Sequence, residues 1–237
     1  MNSDSILVEN YEIAATAIQP GDVALIFFAL SSPRYCQLNR EMSFEVNVTQ
    51  TNNVIRESLK RGGSVIFMSS DVVYGMTDVP VDEAIDFSPI GNYGLHKAQV
   101  EETWQGTKGF IALRSSLNIS LSNPIVQKII SGQDFMLLPG MYRNIVLTSD
   151  LIEIILCLLL KDATDWPSAI NVGGPDLLST EEFFTNLSLA RKRGKAIRHN
   201  WDEVDRASKP ARIEINSGLA CSVLGRSLVP ASSFHSM

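Results

Sequence analysis

Tyr93 and Lys97 stand four residues apart where the chain reads as the start of a helix, so one turn brings phenol and ammonium onto one face, within reach of a common ligand. A free phenol has a pKa of about 10 and a neighbouring ammonium favours the phenolate, so Lys97 would bring Tyr93 towards the range where it exchanges a proton with an alcohol or carbonyl. Ser70, ahead of them, would supply the hydroxyl that holds the reacting oxygen. Taken alone, a tyrosine with a lysine one turn on is more often a surface stack. The setting of the pair decides between the two.

That setting is an α/β pattern. Ser64–Ser69 is an apolar run of strand length, bounded by Gly62-Gly63 and a polar turn, and reads as a fully buried strand of a parallel sheet. Ligands of open α/β sheets bind at the carboxyl ends of the strands, which puts Ser70 and Asp71 where a site is expected. Strand Val23–Ala29, helix Phe44–Lys60, strand Ser64–Ser69, helix Tyr93–Trp104 and strand Phe110–Arg114 alternate as parallel units do. Asn123-Pro124 then opens a short helix, Ile125–Ser131, with proline in its first turn, followed by a strand-like Phe135–Leu138.

Ser69-Ser70-Asp71-Val72-Val73-Tyr74-Gly75, then Asp82-Glu83, Pro89 and Tyr93-Gly94-Leu95-His96-Lys97, resembles the active-site segment of the extended short-chain dehydrogenases/reductases, the NAD-dependent epimerase/dehydratase group. Its members include nucleotide-sugar epimerases, dehydratases and dTDP-4-dehydrorhamnose reductase. The likeness continues through Asp22–Ala29 as the family's fourth strand, Asn47–Asn52 as its Asn-Val-x-x-Thr helix, Arg143 with Asp150, Asn171–Gly174, Ser179–Phe183, and Asn216–Gly225 as its last helix. It implies a Rossmann-like parallel sheet and a small carboxyl-terminal α/β substrate lobe. It also implies catalysis by Ser70, Tyr93 and Lys97, and NAD or NADP bound against Ala29, Leu30, Ser69, Tyr93 and Lys97. The substrate would be a nucleotide-linked sugar held by Asp71, Asn118 and Arg143, and the assembly a homodimer through a four-helix interface. The helices Phe44–Lys60 and Tyr93–Trp104 would supply that interface, with apolar faces at Phe44, Val48, Ile55, Leu59, Val100 and Trp104.

The chain departs from the family in one respect. The family opens with a strand, a Gly-x-x-Gly-x-x-Gly turn and a helix whose amino end receives the cofactor pyrophosphate, whereas Gly21 is the only glycine before Gly62 here. The first βαβ unit is therefore expected to be missing, either because the chain is a fragment or truncated relative or because something else replaces that unit. Weak NAD(P) binding by this chain follows. The expected division is a truncated Rossmann-like domain over residues 1–122, a substrate lobe interleaved with the sheet over 123–229, and a serine-rich mobile tail over 230–237.

Composition narrows the function classes. A net charge of −6 argues against nucleic acid, which calls for a basic stripe. Arg191-Lys192-Arg193-Gly194-Lys195 reads as a solvated helix terminus. Cys36, Cys157 and Cys221 are too scattered for a disulfide framework, and no metal site is expected with only His96, His199 and His235 as histidine partners, so reduced thiols in the cytoplasm are the default. The run Leu151–Leu160 is about half the length of a membrane span, and no leader is read at the amino end.

Arg143 has two readings, a bidentate diphosphate clamp or an ion pair with Asp150 or another surface acid, and Asp71 likewise either meets a sugar hydroxyl or serves the turn. Tyr74 is expected to pack beneath the site and Asn47 to brace backbone. Three functions stay in view: an oxidoreductase or epimerase on a nucleotide sugar, a non-catalytic relative that binds a sugar nucleotide or a protein partner, and a structural subunit. Dehydration is the least favoured reaction, since Asp71-Val72 supplies one acid where dehydratases carry two.

Overall fold

The computed structural model describes residues 17–236. Strand β1 (Val23–Ile26) is followed by helices α1 (Pro33–Leu38) and α2 (Arg40–Phe44), the second running through a π-helical stretch (Glu45–Gln50) into α3 (Thr51–Lys60). Strand β2 (Ser64–Ser70) and a 3-10 turn (Asp71–Tyr74) lead to α4 (Gly91–Trp104) and β3 (Phe110–Ser115). Then come β4 (Asn118–Ile119), α5 (Pro124–Ile130), β5 (Phe135–Leu137), β6 (Tyr142–Arg143), β7 (Val146–Leu147), α6 (Thr148–Leu159), β8 (Ala169–Val172), β9 (Leu178–Ser179), α7 (Thr180–Arg191), β10 (Ala196–Arg198), α8 (Glu203–Ser208) and α9 (Gly218–Leu224). The amino end, read as free of a leader, lies outside the described residues.

The main sheet runs in the order β1-β2-β3-β8, every pair parallel. Residues of β2 alternate between two cores, as a strand covered on both faces requires. Ile66 packs with Ile111, Leu113, Ile154 and Leu158 beside α6, whereas Val65 and Phe67 pack with Ile55 and Val100 of α3 and α4. Full burial of such side chains contributes roughly 1.5–3 kcal/mol each. A third core, with Ile129, Phe135 and Phe184, builds the smaller lobe from α5, β5 and α7. Because β8 returns to the main sheet after that lobe begins, the two halves of the chain interleave.

Two expectations are corrected. Val48, Ile55 and Val100, read as offering an apolar face to a second copy, are buried in this chain's own core, because the same stripe must cover the sheet. The exposed apolar side chains of this region are Met42, Phe44 and Leu95. The tail read as mobile forms a 3-10 turn (Ala231–Ser236), and Ala231 and Phe234 are buried against the lobe core. Among the described residues no helix is long and apolar enough to cross a membrane.

Candidate active site

A cleft of about 900 Å³ lies between the carboxyl ends of β2 and β3 and the smaller lobe, and Ser69, Ser70, Asp71, Tyr93, Asn118 and Arg143 all line it. Pleating separates the two serines that end β2. Ser69 Oγ turns to Glu101 on α4, whereas Ser70 Oγ bonds to Asp71 Oδ1 at 3.2 Å and accepts from the Val72 backbone N–H at 3.4 Å. Tyr93 comes to the cleft because α4 starts beside the 3-10 turn, where Gly94 lies so close to the Val72 carbonyl that a Cβ would stand 2.8 Å from it.

Lys97 lies beneath the cleft and does not line it. Its Nζ donates to the Met68 carbonyl at 2.7 Å and stands 4.5 Å from the centre of the Phe67 ring and 5.9 Å from that of Tyr93. Burial pushes the ammonium down to about 8, against the opposing pull of Glu101 and Cys36. The expectation that Lys97 lowers the Tyr93 phenol is corrected: burial pushes the phenol well above its ordinary value, and Cys36 and Asp71, when ionised, raise it further. His96 on the same helix is held neutral, down to about 4, by burial and by Arg40 and Lys97.

Arg143 does not pair with Asp150. Asp150 is taken by Arg226 at 2.8 Å and by the Val229 N–H, whereas Arg143 Nε stands 3.8 Å from Asp71. The rest of the Arg143 guanidinium donates to the carbonyls of Tyr142, Ala211 and Pro210, at 2.7, 3.2 and 2.6 Å. It is a buried brace of the cleft wall, and service as a diphosphate clamp requires those bonds to be exchanged. Burial raises the Asp71 carboxyl, opposed by Arg143 and by the Ser116 and Ser70 hydroxyls. Ser115 Oγ reaches Asn118 Oδ1 at 3.1 Å.

Ala29 and Leu30 stand just past the end of β1 and are not part of the cleft lining. The Asn47 amide grips Leu30 from both sides, accepting from its N–H at 2.8 Å and donating to its carbonyl at 3.0 Å, the brace expected of it. Ser70 and Tyr93 both open on the cleft at the carboxyl ends of β2 and β3. Among the described residues, the only glycine before Gly62 is Gly21, in the turn ahead of β1, and a glycine-rich cradle for a pyrophosphate is not formed there.

One wall of the cleft escaped the sequence reading. Arg34 of α1 bonds to Asp202 at 2.6 Å and lies 3.4 Å from Asp205, which also holds Lys209 at 2.7 Å, and all four line the cleft. Asp205 is buried, and its carboxyl is lowered because the pull of Lys209 and Arg34 outweighs the burial that raises it. His199, Asp202 and Asp205 come close enough to share a cation, but Arg34 and Lys209 already neutralise the carboxylates. The signals were Ser32-Pro33 and Asp202, which cap α1 and α8.

The family description "NAD dependent epimerase/dehydratase family" matches residues 10–173. Among solved structures the chain is similar to dTDP-4-dehydrorhamnose reductase of Bacillus anthracis in complex with NADP, at 15% identity and a TM-score of 0.80, covering 98% of this chain and 86% of that one. It is also similar to dTDP-glucose 4,6-dehydratase of Streptomyces venezuelae with NAD bound, at 20% identity and a TM-score of 0.77, covering 92% and 72%. UDP-glucose 4-epimerase of Thermus thermophilus in complex with NAD aligns at 16% identity and a TM-score of 0.76, covering 90% and 75%. No curated protein matches.

Proposed function

We propose, for a chain that belongs to the NAD dependent epimerase/dehydratase family, that the cleft performs reduction or epimerisation at a carbinol or carbonyl carbon of a nucleotide-linked sugar. The observation that carries this reading is the convergence of Ser70 and Tyr93 on one cleft at the carboxyl ends of parallel strands, with Lys97 directly beneath. Tyr93 exchanges the proton of the reacting oxygen and Ser70 orients that oxygen. Asp71 and Asn118 meet sugar hydroxyls. NAD or NADP, when bound, supplies the hydride acceptor or donor. A phenol pushed up by burial is protonated at neutral pH, so Tyr93 first acts as an acid towards a carbonyl oxygen.

The test is direct. The protein is incubated with NAD or NADP and a panel of UDP- and dTDP-linked sugars and their 4-keto forms, and nicotinamide absorbance and sugar configuration are followed. Conversion of any member supports the reading. Tight binding of a sugar nucleotide and of cofactor with no conversion sinks it and favours the non-catalytic alternative.

With this function we propose a homodimer in which Phe44 and Leu95, rather than the buried stripe of α3 and α4, meet the second copy. Light scattering at micromolar concentration is expected to give twice the chain mass, and Phe44→Glu to halve it. A wild-type monomer at that concentration overturns the assembly.

A further inference from the structure

Two adjacent residues of β2 are held by one face of α4. Lys97 Nζ donates to the Met68 carbonyl, and one turn further on Glu101 accepts the Ser69 hydroxyl. Arg114 completes the arrangement from the next strand, where it is the direct cross-strand partner of Ser69. Its Nε meets Glu101 Oε2 at 2.9 Å, and its NH1 donates to the Tyr74 hydroxyl at 2.6 Å and the Glu83 carbonyl at 3.0 Å. Tyr74 in turn donates to Asn171 of β8 at 2.7 Å, and Glu83 accepts the Asn171 backbone N–H at 2.7 Å. The network ties together β2, β3, β8, α4 and the turn after Ser70. None of Glu101, Arg114, Tyr74 or Asn171 lines the cleft, and all four are buried.

We infer that Glu101, locked by Arg114 and Ser69, is a positioning residue of the Ser70–Tyr93–Lys97 site: it is the counter-ion that keeps Lys97 charged beneath Tyr93 and the anchor that fixes the end of β2 against α4. The inference rests on the function proposed above. Glu101 and Lys97 are both sealed from water, where an unopposed ammonium is costly. The remaining titratable groups acting with Lys97 are Tyr93 and His96 on α4 and Cys36 on α1. His96 is neutral and burial pushes the Cys36 thiol up; burial pushes the Glu101 carboxyl up as well, but Arg114 and the Ser69 hydroxyl oppose it, so Glu101 is the anion left to balance the ammonium. Because Ser69 is pinned to the helix side, pleating turns Ser70 to the cleft side, where Tyr93 opens.

The test reads Lys97 without requiring turnover. Protein labelled with carbon-13 at lysine Cε is titrated by NMR, the Lys97 resonance being assigned with Lys97→Arg. In wild type the midpoint is expected near 8. Glu101→Gln removes the carboxylate and keeps the shape, and the midpoint is expected to fall by about one unit or more. Since that change leaves Arg114 buried without its carboxylate, Glu101→Gln combined with Arg114→Met is measured as well; it should fold and show a fall in the same direction, smaller because the Arg114 cation is lost with the carboxylate. A Lys97 midpoint that is unchanged or higher in the folded Glu101→Gln protein, or, where that protein does not fold, higher in the double variant, overturns the inference, whatever the activity of the protein. Loss of the proposed function would instead be read from sugar conversion in wild type, so the two failures are separable.

Discussion

Replacing Tyr93 by phenylalanine, in protein holding cofactor and a sugar that the wild type converts, is expected to lower turnover by roughly 10²–10⁴-fold, the usual effect of losing an acid/base group. The ring stays, with its packing against Lys97 and the head of α4, so ligand affinity should hardly move. A pH dependence accompanies it. Burial, with Cys36 and Asp71 adding to it when ionised, raises the phenol, which keeps it protonated across the neutral range. The alcohol-oxidising direction needs the phenolate and should therefore accelerate as pH rises, whereas carbonyl reduction should vary little until the phenol itself titrates. Full turnover in Tyr93→Phe would remove Tyr93 from the chemistry and leave the Tyr93/Lys97 pair as a stack at a helix start.

How much of this was readable in the residues can be judged element by element. The apolar run that became β2 was legible because burial on both faces of a parallel strand leaves a continuous hydrophobic signature, and α4 was legible from the alternation of strand and helix around it. Together with the Ser-Tyr-Lys order they pointed to the cleft that Ser70 and Tyr93 line. Helices α1 and α8 were missed because six residues are too few for a 3.6-residue period to show, and only their caps, Ser32 with Pro33 and Asp202, marked them. The sequence left Arg143 between a diphosphate clamp and a pair with Asp150 or another surface acid, and could not show that its neighbour is the buried Asp71. Asp150 is near in sequence, but Asp71 and the carbonyls of residues 210 and 211 are near in space, and a sheet crossover separates the two. The apolar stripe of α3 and α4 was read correctly as apolar and wrongly as free, since periodicity gives a buried face without saying what buries it.

The partnership of Glu101 and Arg114 was invisible for the same reason, and it carries the largest stability effect expected here. Arg114 is buried, bonds to Glu101, Tyr74 and Glu83, and lies 4.7 Å from the Phe87 ring centre, so Arg114→Met keeps the bulk and strands the carboxylate. Breaking a buried pair from one side costs about 3–5 kcal/mol. That cost should depend on pH in a definite direction. Burial already pushes the Glu101 carboxyl up against the pull of Arg114, and without Arg114 it rises further, so the folded variant holds a proton that the unfolded chain releases. Stability then falls as pH rises above the unfolded carboxyl's value of about 4.3 and continues to fall until the folded group has titrated. Urea unfolding should therefore show the smallest deficit near pH 4–5 and the largest at neutrality and above. The double variant with Glu101→Gln removes the stranded carboxylate, and Lys97, left without its counter-ion, can shed its proton, so much of the loss should be recovered at neutral pH, as on neutral replacement of a buried ion pair. A deficit that is the same at acid and neutral pH, or a double variant no more stable than Arg114→Met, would mean that Arg114 acts here through its packing and its bonds to Tyr74 and Glu83 rather than as the partner of a buried carboxylate.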